Sequence, residues 1–384
     1  TLHQAFGWVE SRRPRNAVAL GLAAGLACVN RWQDAAVVVP VLLVAVVLLG
    51  WLWLRPKAPS GAGTLYFLNW ADYIPEELIQ KFEAETGAKV VLDTFESPEA
   101  MLAKLKAGAD QEFSLVVAPD YYVLQMARDG LIAPLDKGKL KNLANLDPFF
   151  LDPPYDPGLQ YSVPYLWGTT GIAYREDLVT GPVDSYAVFF DPEAQVGPFL
   201  LLDEMRETIG AALKYLGYSV NTTDPEALAK AKELLLAAKE RSVGFAGGLE
   251  ALNRILAGDA ALSLAYSGDV LQAREEDQRL RYTLAKEGGT LWTDAMVVLK
   301  RGPAQELAYR FMDFLLEPEN AAALAEYTHY ATPVAKAIPL LPEEMRNDPV
   351  VFPPEEVRSR LEYLKDLGPD IVLYDQIWTE VKAH

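Results

Sequence analysis

A short cluster of side chains that could bind a cation follows the first apolar run of the acidic part of the chain. Residues 65–69 read as a β-strand, and Trp70, Asp72 and Tyr73 follow directly. An aromatic face attracts an ammonium group, and a nearby carboxylate adds a full opposite charge. Open α/β sheets bind ligands beyond the carboxyl ends of their strands. We therefore expect a cation site at the end of this strand.

The charge of the chain argues against nucleic acid as a partner. The 384 residues carry a formal net charge of −18 at pH 7. Residues 1–63 hold six Lys or Arg residues against two acidic ones, so the acidity lies in the remainder. An acidic body repels phosphate and concentrates cations around it. We expect no nucleic-acid binding.

The chain also lacks the patterns typical of common enzymes. Cys28 is the only cysteine and there are three histidines, which argues against a disulfide framework and a zinc centre. Neither G-x-S-x-G, a P-loop nor H-E-x-x-H occurs in it. We expect a protein that is not an enzyme and needs no cofactor or metal.

One segment predicts a membrane anchor. Residues 35–54 are twenty consecutive uncharged residues, about the length that crosses a ~30 Å hydrocarbon core. Trp51 and Trp53 fit an interfacial aromatic belt. We expect a transmembrane helix at 35–54, preceded by a basic and apolar segment at 1–34 and followed by a linker at 55–63.

The basic residues predict the orientation of this anchor. Four arginines precede residue 35, whereas only Arg55 and Lys57 lie just after the span. The positive-inside rule then places the start of the chain in the cytoplasm and the soluble part outside. Residues 17–29 are short for a span and are typical of a signal h-region, so an uncleaved signal is an alternative.

Beyond the linker, strand and helix patterns alternate. A strand at 65–69 precedes a helix from Pro75 to Gly87, and a strand at 89–95 precedes a helix that begins after Ser97. Alternation of this kind predicts a parallel sheet covered by helices on both faces. Further strands are expected at 114–118, 198–202, 260–265 and 295–299, the last three followed by helices at 203–216, 268–276 and 303–316.

Six blocks resemble one family in that family's order. The chain is similar to the extracytoplasmic spermidine/putrescine-binding proteins of bacterial ABC transporters over about residues 64–384. The resemblance implies that the soluble part binds putrescine, spermidine or both outside the cytoplasmic membrane and delivers them to the permease subunits. The blocks are LNWADYIPEELIQKFEAETGAKV (68–90), NLDP (145–148), YSVPYLWGTTGIAY (161–174), LKYLGYSVNTTDP (213–225), AKEGGTLWTDA (285–295) and FLLEPENAAALAEYTHYATP (314–333).

The resemblance also implies the fold. We expect an α/β type II periplasmic-binding-protein fold, in which two lobes close on the ligand about a hinge. The chain should cross between the lobes near 165–170 and 292–296. The expected division is 64–168 with 294–336 for lobe 1, and 169–293 with 337–384 for lobe 2.

The ligand-binding residues are carried over from the family block by block. A polyamine needs aromatic walls along its methylene groups and carboxylates at its ammonium ends, since an unpaired buried charge costs several kcal/mol. The aromatic candidates are Trp70, Tyr73, Tyr121, Tyr266, Trp292 and Tyr330, and the acidic candidates are Glu204, Glu207, Asp269 and Asp294.

Each candidate has a structural alternative. Trp70 and Tyr73 could be core aromatics, and Tyr122 could replace Tyr121. Trp292 and Asp294 share one face of a strand, which suits joint stacking and ion pairing but also a solvated strand face.

The acids on the second lobe carry their own alternatives. Glu204 and Glu207 stand at a helix start, where carboxylates favour the helix dipole. Asp269 could be an N-cap.

The family pattern is mixed on ligand length. Glu204 matches an aspartate of spermidine-preferring relatives, whereas an acid at Asp269 occurs in putrescine-preferring ones. Ala71 replaces a Ser or Thr of the relatives, and Leu364 replaces a glutamine of the spermidine branch. Either ligand remains open at this point.

Three other functions fit parts of the pattern. A membrane-tethered polyamine sensor would have the same soluble part, and residues 1–54 could be the end of a permease fused to its binding protein. The same fold could also bind an anion or iron, which would need basic residues or tyrosine clusters in place of Glu204, Asp269 and Asp294.

Overall fold

The computed structural model describes residues 63–383, which form an α/β fold built on one mixed sheet and a small second sheet. The strands are β1 (Thr64–Trp70), β2 (Lys89–Phe95), β3 (Leu115–Pro119), β4 (Ser162–Arg175), β5 (Leu201–Leu202), β6 (Phe245–Ala246), β7 (Leu262–Tyr266), β8 (Leu280–Thr283), β9 (Gly289–Val298) and β10 (Leu361–Glu362).

Helices separate most of these strands. The α-helices are α1 (Glu76–Thr86), α2 (Pro98–Lys106), α3 (Asp120–Arg128), α4 (Ala187–Phe190), α5 (Met205–Tyr215), α6 (Pro225–Arg241), α7 (Gly248–Ala257), α8 (Ser267–Glu276), α9 (Gln305–Leu315), α10 (Pro318–Thr328), α11 (Glu343–Asn347), α12 (Glu355–Arg358) and α13 (Ile371–Ala383). Short 3-10 helices lie at Ala109–Gln111, Lys137–Lys139, Lys141–Asn145, Pro148–Phe150, Ala335–Leu340 and Gly368–Asp370.

The first units follow the predicted alternation. Strand β1 pairs in parallel with both β2 and β3. Helix α1 ends at Gly87, whose φ of 70° is left-handed, a conformation that glycine adopts without steric cost. Ser97 begins α2 by accepting a hydrogen bond from the amide of Ala100. The boundary residues therefore act as the sequence predicts.

The parallel arrangement expected throughout is wrong for the two longest strands. The main sheet has the order β2-β1-β3-β9-β4-β7, and β9 runs antiparallel to both β3 and β4. The expected strand at 295–299 is the second half of β9, which begins at Gly289. Apolar periodicity identifies a strand but not its direction, and β9 returns against the direction of β3.

The hydrophobic core is divided, and the long strands pass between its parts. Val163 of β4 lies in one cluster with Phe67 and Phe311, whereas Ile172 of the same strand lies in another with Phe199. Strand β4 therefore crosses from one lobe to the other, and the fold is two-lobed.

The C-terminal region contributes to both clusters. Helix α13 packs Tyr374, Ile377 and Val381 into the cluster of Phe199. Ala337 and Leu341 instead lie in the cluster of Phe67.

None of the helices in residues 63–383 is long and apolar enough to span a membrane. The transmembrane helix expected at 35–54 lies outside the described residues. The segment at 1–34 and all but the last residue of the linker at 55–63 do so as well.

Candidate ligand-binding site

The candidate residues come from both lobes and from a crossing strand. Trp70 ends β1, and Trp292 and Asp294 lie on β9. Tyr266 ends β7 and Asp269 lies in the first turn of α8. The others follow or begin helices: Tyr121 in α3, Glu204 and Glu207 at the start of α5, Tyr330 after α10, and Tyr73 before α1.

Four of the predicted aromatic residues form a continuous row. The ring of Trp292 lies edge-on to Tyr266 at 5.8 Å and to Tyr330 at 5.1 Å between centroids. Tyr330 in turn meets Tyr73 at 5.7 Å. Edge-to-face contacts at these distances are favourable. Trp70 packs beside the row against Phe95 at 4.4 Å.

Asp294 is the buried carboxylate at one end of this row. Its Oδ2 accepts a hydrogen bond from the Tyr73 hydroxyl at 2.8 Å. Burial raises the pKa of Asp294 to about 7, and the charge of Asp269 adds to the rise. The Tyr73 hydroxyl and the Trp70 indole N–H, whose geometry falls short of a full hydrogen bond, act in the opposite direction.

The acid expected to join Trp70 and Tyr73 from the sequence alone was Asp72. Asp72 is instead exposed in a turn with a left-handed φ of 51°. The carboxylate that reaches this aromatic pair comes from Asp294 on β9, more than 200 residues further along the chain. Trp70 and Tyr73 thus both face an acid, but it is not the neighbouring one.

Asp269 lies further along the row, beside Tyr330. The Tyr330 hydroxyl donates a hydrogen bond to its Oδ1 at 2.5 Å. Burial raises the pKa of Asp269 to about 6, although this hydrogen bond favours the charged form. The N-cap of α8 is Tyr266, so Asp269, in the first turn, does not cap this helix.

Glu207 and Glu204 approach from the start of α5. Glu207 is buried and accepts a hydrogen bond from the Thr290 hydroxyl on β9 at 2.6 Å. Burial raises the pKa of Glu207, against the effect of Thr290, Thr170 and Arg206.

Glu204 occupies the N-cap position of α5 without a capping hydrogen bond from its side chain. Burial raises the pKa of Glu204 to about 8, and the charges of Glu99, Glu207 and Asp203 add to the rise. The side chain of Glu204 therefore leaves the free amides of α5 unbonded, whereas the helix-dipole alternative needs no such bond.

Tyr121 and Tyr122 lie near Glu204 and differ in what their hydroxyls bind. The two rings lie 4.8 Å apart, and the charge of Glu204 raises the pKa of both, after burial as the main cause. The Tyr122 hydroxyl bonds to Glu99 at 3.1 Å. Tyr121 is the tyrosine whose hydroxyl has no such partner within residues 63–383.

The acids of the site have no basic partner. Across residues 63–383, none of the acidic candidates forms an ion pair with a Lys, Arg or His side chain within 4.0 Å. The charge of Asp269 raises the cost of charging Asp294, and the charge of Glu207 raises the cost of charging Glu204. A ligand that carries positive charge would remove that cost. The four acids are Glu204, Glu207, Asp269 and Asp294.

Asp120, which lies beneath the site, is not among the residues predicted from the sequence. Its Oδ2 accepts the amide of Thr293 at 2.9 Å, and its Oδ1 accepts the amide of Tyr121 at 2.7 Å. Thr293 stands between Trp292 and Asp294, so this buried acid ties the site part of β9 to the start of α3. An acid directly after an apolar strand was the available signal.

Two glycines were also missed. A Cβ at Gly168 would lie 2.6 Å from Cζ2 of Trp292, and one at Gly268 would lie 2.6 Å from ring carbons of Tyr330. Both rings therefore lie directly against backbone. A glycine within a strand marks such close approach, but not the residue that approaches.

These features define a class of protein, a two-lobed α/β binding protein whose candidate site draws on both lobes. A model of the bacterial extracellular solute-binding protein family matches residues 77–353. The chain belongs to this family, and it is a binding protein rather than an enzyme.

Individual relatives are similar over most of the chain. The spermidine/putrescine-binding periplasmic protein of Salmonella typhimurium is 38% identical over 325 residues, which cover 84% of this chain and 93% of that protein. A putrescine/cadaverine-binding protein of Pseudomonas aeruginosa is 35% identical over 337 residues, or 84% and 94%.

A solved structure shows the same fold. The spermidine/putrescine ABC transporter substrate-binding protein of Streptococcus pneumoniae has a TM-score of 0.76 at 34% identity, and the match covers 84% of this chain and 99% of that one. The expected two-lobed periplasmic-binding-protein fold is therefore confirmed.

Proposed function

We propose that this protein binds a polyamine, putrescine or spermidine, and delivers it to the permease subunits of an ABC transporter. The curated relatives are named for spermidine and putrescine binding or for putrescine and cadaverine binding. Polyamines carry an ammonium at each end of an apolar chain, so they need carboxylates at two separated points and apolar walls between them.

The observation that carries this proposal is the set of unpaired acids along an aromatic row. Asp294 stands at one end beside Tyr73, and Asp269 stands beside Tyr330, the next ring in the row. A buried charge without a partner destabilises the folded protein by several kcal/mol. Buried acids without a basic partner therefore indicate a site that a cationic ligand fills. A diamine supplies one positive charge at each position and methylene groups for the rings.

Each candidate then has a role. Asp294 binds one ammonium, while Asp269 and Glu204 bind the other for ligands of different length. Glu207 adds negative charge close to Glu204, as its effect on the pKa of that residue indicates. The aromatic walls are Trp70, Tyr73, Tyr121, Tyr266, Trp292 and Tyr330.

The lobes and their placement complete the proposal. The division at 64–168 with 294–336 and 169–293 with 337–384 makes β4 and β9 the hinge strands, with the exception that Ala337 and Leu341 pack in the cluster of Phe67. Residues 35–54 anchor the chain in the cytoplasmic membrane, and the soluble part faces the periplasm or cell surface. Relatives described as periplasmic support that location.

Calorimetric titration of the purified full chain in detergent tests the proposal. Putrescine, spermidine and spermine are titrated separately, with butylamine as a control that has a similar chain but one ammonium. We expect saturable binding of at least one polyamine and much weaker binding of butylamine, because one buried acid stays unpaired. Equal binding of butylamine would contradict the two-ended site.

A further inference from the structure

The two oxygens of Asp269 have different surroundings. Oδ1 accepts the hydrogen bond from Tyr330, whereas Oδ2 has no hydrogen-bond partner among residues 63–383. A Cβ placed on Gly248, the first residue of α7, would lie 3.8 Å from Oδ2. Oδ2 of Asp269 therefore faces Gly248, which has no side chain to cover it.

Gly248 also borders the ring of Tyr266. Its added Cβ would lie 3.4 and 3.5 Å from Cε2 and Cδ2 of that ring, which are ordinary van der Waals distances. Gly248 is also absent from the described glycines with positive φ. A small side chain would therefore fit here without strain, and neither protein packing nor backbone conformation demands glycine.

We propose that Gly248 is a specificity-determining residue of the ligand site. The missing side chain leaves Oδ2 of Asp269 and one part of the Tyr266 ring open to the ligand. A terminal ammonium pairs with Oδ2 while Tyr330 holds Oδ1, and the adjoining methylene groups lie on the ring. This inference rests on the proposed polyamine binding and names the residue that shapes its far end.

The test adds a side chain at this position and at its neighbour. Gly248→Ala covers the ring, and Gly248→Ser also brings a hydroxyl within reach of Oδ2, where it competes with the ammonium. Gly247 is the matched control, since an added Cβ there meets no heavy atom within 4 Å and its φ of −66° and ψ of 167° suit any residue. Gly247→Ala and Gly247→Ser alter the same helix start without facing Asp269.

Calorimetry on the full chain in detergent measures putrescine and spermidine binding by all four variants. We expect Gly248→Ser to weaken putrescine binding about tenfold or more, as when a charged group loses a partner, and Gly248→Ala to weaken it less. Spermidine, which we assign mainly to Glu204, should lose less, and both Gly247 variants should match the wild type. The melting temperature without ligand checks that each variant folds.

Two results would overturn the inference. Unchanged putrescine binding by both Gly248 variants would show that the space is not used, and equal losses in the Gly247 variants would assign the effect to the helix start. If the wild type itself binds no polyamine, the proposed function fails first. A wild type that binds normally beside insensitive Gly248 variants refutes only the role of Gly248.

Discussion

Asp294 is the residue on which the binding of a charged ligand should depend most strongly. It is buried, its only described hydrogen bond comes from a neutral hydroxyl, and its burial raises its pKa to about 7. Ionising this carboxyl group therefore costs free energy in the folded protein without ligand. A bound ammonium would offset that cost.

Asp294→Asn should nearly abolish polyamine binding without lowering the melting temperature of the ligand-free protein. Breaking a buried charge pair typically costs about 3–5 kcal/mol, equivalent to roughly 100- to 1,000-fold or more in Kd. Asparagine keeps an oxygen to accept the Tyr73 hydrogen bond, so packing should survive. Asp72→Asn is the matched control, because Asp72 is exposed and asparagine tolerates its left-handed φ. Normal binding by Asp294→Asn would remove this residue from the site.

Asp269 should contribute more to putrescine binding, and Glu204 should contribute more to spermidine binding. Asp269→Asn is expected to weaken putrescine binding more than spermidine binding, and Glu204→Gln to do the reverse. The reason is that the two acids stand on different elements, α8 and the start of α5, and so suit ligands of different length. Calorimetry with both ligands on both variants measures this; equal losses throughout would mean that the acids act as one diffuse field.

Binding and stability should respond to pH in opposite directions. The pKa of Asp294 is about 7 in the folded protein against an ordinary value of 3.8, so the folded state holds the proton more tightly. Its stabilising contribution is therefore complete below about pH 4 and is lost as the pH rises to about 7. Ligand binding needs the carboxylate, so affinity should rise over the same interval.

The comparison of wild type with Asp294→Asn isolates this effect. Between about pH 4 and pH 8, the ligand-free melting temperature of the wild type should fall relative to that of the variant. The affinity of the wild type should rise with pH, and the affinity of the variant should rise less. The rise that persists in the variant is due to Asp269 and Glu204. Parallel melting curves for the two proteins would contradict the raised pKa.

At the scale of elements, β4 and β9 meet where glycine allows close contact. Gly168 stands opposite Trp292 in the strand register, and the indole lies against its backbone. The pairing of these strands thus sets how deeply Trp292 enters the site.

Gly168→Ala should push Trp292 out of place. The added Cβ would lie 2.6 Å from Cζ2 of the indole, and overpacking of this kind costs about 1–3 kcal/mol. We expect a lower free energy of unfolding together with weaker ligand binding. Adding Trp292→Phe should restore stability but not binding, as measured by denaturant unfolding and calorimetry. A stable single variant with normal affinity would contradict the close contact.

The sequence predicted elements better than it predicted their directions. Gly87 and Ser97 marked helix boundaries because their chemistry acts locally. The antiparallel direction of β9 depends on the path that the chain follows between distant elements, which no local sequence pattern indicates.

The same contrast holds for the candidate site. The ten candidate residues came from a resemblance that spans the chain, and local reasoning chose Asp72 for a position that Asp294 takes. Gly168 could not be recognised, since its partner is more than 120 residues away in the sequence.

At the scale of the whole molecule, the acidic charge and the two-lobed fold serve the same end. A net charge of −18 attracts cations before any specific contact forms. Under the proposed function, the two lobes then close on what has been attracted. Binding without chemistry should stabilise the folded chain and return the ligand unchanged.

The most direct test is thermal unfolding of the purified full chain, in detergent, with millimolar putrescine, spermidine or spermine. A ligand present at 1,000 times its Kd stabilises the folded state by about 4 kcal/mol, which raises the melting temperature measurably. We predict such a rise with at least one polyamine, and mass spectrometry of the ligand afterwards should show no change in it. No rise with any of the three at millimolar concentration would contradict the claim that this protein binds polyamines.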